Sequence, residues 1–218
     1  MSTRLLQMLA LSTAVLSVSV SASTLELTGL SSNNYNGIPA APYMITVDGG
    51  SPLEMMCDDA QTEIWMNYQW TANAWALTAA DLSNLKFYNI GSPSTVLNDY
   101  EVAAYIESGV TQGTIGGDGN AAVWSIFDPT FNTSYDHSNI TTILNNAQNA
   151  VNAGNLNFSG ITIYTPTPLK SSQEFITGIV TTNLTPKFAA TPEPATFAML
   201  GGGLLALGLL GRKRRGRN

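Results

Sequence analysis

Few side chains in this sequence are suited to chemistry, and the most versatile types are scarce. One cysteine, Cys57, stands in "LEMMCDDA", and one histidine, His137, in "DPTFNTSYDHSN". A lone cysteine excludes an internal disulfide and leaves a buried inert thiol, an intermolecular bond or a reactive group. A Ser/His/Asp hydrolase would depend on His137 alone, and no nucleophile elbow accompanies it, so His137 reads as a polar residue near a helix start. A histidine metal cluster cannot be built from one imidazole. Asp58, Asp59, Asp118, Asp128 and Asp136 offer oxygen ligands for calcium, but none has EF-hand or nonapeptide spacing. "GTIGGDGN" (113–120) lacks the Lys-Ser/Thr of a phosphate loop and reads as a flexible turn. No cofactor is expected. Trp65, Trp70 and Trp75 recur five apart in "WMNYQWTANAW" and are the candidates for stacking on sugar rings. Five steps reverse the face of a strand and turn a helix by about 140° net, so the three rings cannot share one face of either element. Packing in the core is the competing reading.

Two segments, "LEMMCDD" and "GNAAVWSIFD", resemble the signature segments of thioester-forming surface domains. In that family a Cys after hydrophobic residues attacks the side-chain amide of a Gln in a Thr-Gln-x-Ala-hydrophobic-Trp segment. The internal thioester then acylates a nucleophile on a host or matrix surface. The resemblance implies Cys57 as the nucleophile and aligns Ala122, Val123 and Trp124 with the second segment. Asn120 stands where the family has Gln, and Gly119 where it has Thr. Asn is one methylene shorter, which sets its amide carbon back from the sulfur by about 1.5 Å. Gln112, in "VTQG", is the other candidate acyl partner, without the Ala-hydrophobic-Trp sequel. The departures favour a related fold lacking the bond, with Cys57 buried and Trp124 in the core.

The elements that must position these residues can be traced by pattern. Residues 23–30 alternate as a strand, "YMITV" is a second, and "LEMMCDDA" contains a third. A helix is predicted from Asn98, with Asn98 and Glu101 as a capping box and Gly109 near its end. A second starts near Ser138, carries Ile140, Ile143, Leu144, Ala147 and Val151 on one side and stops at Gly154. "FSGITIYT" and "EFITGIV" read as closing strands. Strands before and after two helices, without regular alternation, predict an α+β fold: a single β-rich domain with two short helices.

Both ends carry address information. Arg4 is followed by a charge-free run to Val20, and Val20-Ser21-Ala22 offers the small residues of a cleavage site, so residues 1–22 read as a secretory signal peptide. Residues 23–180 form the predicted extracellular domain and 181–191, rich in Thr, Pro and small residues, a linker. The chain ends "PEPATFAMLGGGLLALGLLGRKRRGRN". Pro192, Glu193 and Pro194 precede an apolar run (195–211), read as a transmembrane helix, and a basic tail with Arg212, Lys213, Arg214, Arg215 and Arg217. A cluster of this kind stays cytoplasmic. This order of parts resembles the PEP-CTERM sorting signal of certain Gram-negative bacteria. It implies an exosortase as partner, a transient inner-membrane anchor and delivery to the cell surface or extracellular matrix, with signal peptidase and the secretion machinery acting earlier.

From Ser23 to Glu193, Lys86, Lys170 and Lys187 face all 15 acidic residues, a formal charge of −12 against −6 for the whole chain. So acidic a body argues against nucleic acid as partner and fits an exported protein. The sequence predicts a surface or biofilm-matrix protein with a structural or adhesive, non-catalytic role and surface polysaccharide as a candidate partner. The alternatives are a carbohydrate-binding module and a covalent adhesin.

Overall fold

The computed structural model describes residues 22–128, 130–131 and 138–183. Six strands close into an antiparallel barrel: β1 (Ser23–Leu30), β4 (Tyr43–Val47), β5 (Leu53–Cys57), β6 (Gln69–Ala76), β8 (Thr162–Pro166) and β9 (Phe175–Thr177). Two small ribbons complete the strands. One joins β2 (Asn34–Tyr35) to β3 (Ile38–Pro39), and the other joins β7 (Leu156–Asn157) to β10 (Thr181–Thr182). Around the barrel the order is β1-β4-β5-β9-β8-β6, and β6 returns to β1 through Leu25↔Trp70. Closure removes the exposed edges that an antiparallel sheet would otherwise present. The period of two decides what faces inward: Leu25 and Leu27 of β1, and Tyr43 and Ile45 of β4, are buried, while alternate residues are more exposed.

Three helices accompany the barrel, where the pattern predicted two: α1 (Pro93–Thr111), α2 (Asp118–Phe127) and α3 (Ser138–Asn152). The start of α1 lies before the expected Asn98. Ser92 is its N-cap, accepting from the Thr95 amide, and Pro93 occupies the first turn, so Asn98 and Glu101 are interior helix residues rather than a capping box. Its end is past Gly109, with Gly113 adopting φ +71° beyond it. Gly154 follows α3 at φ +68°, as the pattern predicts.

The unexpected helix is α2, which grows out of the glycine-rich stretch read as a flexible turn. Gly119 serves packing there. A Cβ at this position would lie 2.6 Å from Val110 Cγ2 and 2.8 Å from Ile115 Cγ2, so the bare α-carbon is what lets α2 approach α1. The described residues thus form a β-rich domain with three α-helices. Thr181 and Thr182, assigned above to the linker, pair with Asn157 and Leu156 and belong to the domain. Among the described residues no helix is long and apolar enough to cross a membrane. The predicted signal peptide (apart from Ala22), the sorting motif, the 195–211 helix and the basic tail lie outside the described residues, as do Asp136 and His137.

Candidate functional site

Cys57 is the last residue of β5 and pairs with Phe175 of β9. It is fully buried, and its thiol donates to the Asp59 carbonyl at 3.0 Å. Asn120, on the first turn of α2, is also fully buried and bridges two distant segments. Its Nδ2 donates to the Cys57 carbonyl at 2.7 Å, and its Oδ1 accepts from the Ala41 amide at 2.8 Å. Trp124 follows one turn later in the core, 3% exposed. Cys57, Asn120 and Trp124 therefore meet. Gln112 stays apart: it is exposed at the end of α1, donates to Ser108 Oγ at 2.7 Å, and lines a separate polar cavity with Tyr105, Asn139 and Asn146.

The electrostatics of this junction oppose nucleophilic chemistry. Burial pushes the Cys57 thiol well above its ordinary pKa, the negative charge of Asp58 adds to the effect, and the Trp124 indole offsets part of it. Only the thiolate attacks a carbonyl carbon, so the folded protein holds Cys57 in its unreactive form. The Asn120 amide is committed to two backbone groups, which makes it a strut between α2, β5 and the segment before β4. Native protein is expected to resist alkylation at Cys57 and to take up one equivalent after denaturation, read by mass spectrometry with and without urea.

A second cluster lies immediately beyond Cys57, and the sequence pattern did not single it out. Asp58 and Glu174 are fully buried. Glu174 accepts from the Tyr100 and Thr165 hydroxyls and from the Lys86 amide. Among the described residues no donor meets the Asp58 oxygens. Burial, then the neighbouring Glu174 charge, drives the Asp58 pKa well up, and burial also raises that of Glu174. Burial and the adjacent Glu174 carboxyl together favour the neutral form of Asp58. Asp59 turns the other way, into an ion pair with Lys86. The available signal was compositional: Lys86 is one of only three basic residues in an acidic body, and two aspartates directly follow a strand.

The three tryptophans separate by burial. Trp70 is in the core at 5% exposed, and Trp75 is half-buried and packed against that core. Trp65 is 63% exposed. It begins a run of rings leading inward: Trp65 to Tyr68 at 4.3 Å, Tyr68 to Trp70 at 5.9 Å, Trp70 to Phe175 at 5.5 Å. Trp65 also borders a cavity of about 350 Å³, whose walls include the exposed Leu30, Ile38 and Met66 and the buried Trp124. As for calcium, Asp118 is bonded to Asn139, and Asp128 to Gln61 and Thr130. Among the described residues no cluster of three or more metal-ligating side chains occurs.

The described residues thus form a closed barrel accompanied by helices, with Cys57 buried in the interior and an apolar cavity mouth beside Trp65. The protein's route is set by the chain's end, where residues 190–215 match the PEP-CTERM protein-sorting motif. The chain is therefore an exosortase substrate, exported through a membrane-anchored step to the cell surface. No curated protein and no solved structure matches it.

Proposed function

We propose that the chain serves as a structural or adhesive, non-catalytic component of the surface or matrix to which its sorting signal delivers it, engaging that material through the apolar rim around Trp65. The observation that carries this reading is the exposed Trp65 beside the Leu30, Ile38 and Met66 walls of one cavity. Large apolar side chains grouped in this way mark an interaction surface more often than isolated ones do. An indole presented on such a rim suits the faces of sugar rings, so surface polysaccharide is the preferred partner. The buried thiol and the committed Asn120 amide weigh against the covalent-adhesin alternative.

The test is binding of the purified exported protein to cell-surface polysaccharide from its host, with and without Trp65→Ala. A ring that anchors the contact is worth enough for about a tenfold or greater loss of affinity. Unchanged binding by the variant would remove the rim from the proposal, and absence of binding by the parent protein would remove polysaccharide as the partner.

A further inference from the structure

We propose that Lys86 and Asp59 condense to an intramolecular isopeptide bond, an internal cross-link in a domain whose single cysteine permits no disulfide. Lys86 Nζ is in direct contact with Asp59 Oδ2, and the side chains are only 12% and 3% exposed. Both partners are fixed. The Lys86 amide is held by Glu174 at 2.9 Å, and Nζ also donates to the Ser172 carbonyl at 2.8 Å and to Thr62 Oγ1 at 3.3 Å. Glu174 thus acts as a positioning residue. On the acceptor side, Asp59 Oδ1 receives two backbone N–H groups, from Gln61 at 2.9 Å and Thr62 at 3.3 Å. This pair of donors is placed where negative charge would develop if Nζ attacked Cγ, so the carboxyl already sits in an oxyanion-stabilising cradle.

The step balances without any added reagent. One ammonium proton passes from Nζ to Oδ2, giving a neutral amine and a carboxylic acid. Nζ then attacks Cγ, and the charge on Oδ1 is held by the Gln61 and Thr62 amides. A second proton leaves nitrogen for Oδ2, the Cγ–Oδ2 bond breaks, and water departs as the Oδ1 carbonyl re-forms. Nitrogen keeps its third proton as the amide N–H. In water this condensation is unfavourable, but here it replaces two poorly solvated charges with one neutral group, and fixed proximity supplies the effective concentration. The fully buried Asp58 and Glu174 carboxyls lie in the same cluster, away from bulk water. The bond would close the chain across the 27 positions separating residues 59 and 86, a loop that contains all of β6.

The sequence supplies an unusually clear readout. Lys86 is the sole tryptic site between residue 23 and Lys170. Purified exported protein is expected to have a mass about 18 Da below its sequence value, the loss of one water. Denatured and digested with trypsin, it is expected to give one peptide running through Lys86 to Lys170, because an acylated lysine is not cut. Lys86→Arg keeps the ion pair but cannot form this amide, and is expected to show full mass and cleavage at position 86. Full mass and cleavage at Lys86 in the parent protein would overturn the proposal and leave an ordinary ion pair. An 18 Da deficit that persists in Lys86→Arg would also overturn it, pointing to dehydration elsewhere, as at Asp48-Gly49 or Asp118-Gly119. A thioester would instead lose ammonia, about 17 Da, and would leave Lys86 cleavable.

Discussion

Replacing Asn120 by alanine is expected to cost the folded protein about 3–4 kcal/mol, read as a lowered urea midpoint with an unchanged slope. Two losses add in this variant. The Ala41 amide and the Cys57 carbonyl, both in the interior, each lose their bond to the Asn120 side chain, and an orphaned buried polar group costs about 1–3 kcal/mol. Removing the side chain also leaves a small void under α2, which contributes further. Asn120→Asp separates the two effects because it preserves shape. At neutral pH its ionised carboxylate would set an acceptor against the Cys57 carbonyl. Its protonated form can donate there as the amide does. Burial would raise this carboxyl above its unfolded value, so the variant is expected to be closest to the parent in acid and to weaken as pH rises through the folded pKa. A variant as stable as the parent at neutral pH would show that the Asn120 strut carries no energy.

Replacing Glu107 by glutamine is expected to do the opposite and stabilise the protein by about 2–3 kcal/mol near pH 7.5. Glu107 lies on α1, fully buried, with Oε1 accepting from Thr111 at 3.0 Å and Oε2 without a partner among the described residues. Burial pushes its pKa up to about 8 from an ordinary 4.5, with the Thr111 hydroxyl opposing the shift and the nearby Glu54 charge adding to it. Between those two values the folded state holds a proton that the unfolded chain releases, so stability falls as pH rises from about 4.5 to about 8. Glutamine is neutral throughout. The difference between parent and variant should therefore be near zero at pH 4, grow across this window and stay constant above it. Parallel pH–stability curves would show that the Glu107 carboxyl does not titrate with a raised pKa. Asp58 and Glu174, in the cluster beyond Cys57, shift in the same direction, but they are common to both proteins and cancel in the comparison.

What was legible in the sequence is what rests on local pattern. Alternation marked β1 and β4 because one face of each is buried and a period of two must show it, whereas β5 ends in three consecutive buried residues. The apolar spacing of α3 and Gly154 after it were visible for the same reason at a helical period. The sorting signal was legible because its parts stand in order along one short stretch of sequence, residues 190–215.

Other features were fixed only by the tertiary structure. The glycines before and within α2 looked like a turn because nothing in the chain indicates that Val110 and Ile115 stand where a Cβ would go. The five-residue tryptophan spacing was uninformative about exposure, which depends on Trp70 meeting Phe175 across the barrel while Trp65 falls outside β6. The same holds for Cys57. The sequence set it against Asn120 by resemblance, and the fold does bring them together, but through the cysteine's carbonyl rather than its sulfur. Lys86, the adjacent pair Asp58 and Asp59, and Glu174 are separated by tens of residues, and no spacing rule relates them. Closure of β5 onto β9 and the anchoring of the Lys86 loop on Glu174 place them in one buried cluster. Local periodicity is written in neighbouring residues, whereas contact between distant residues is decided by which surfaces the barrel and helices bury against each other.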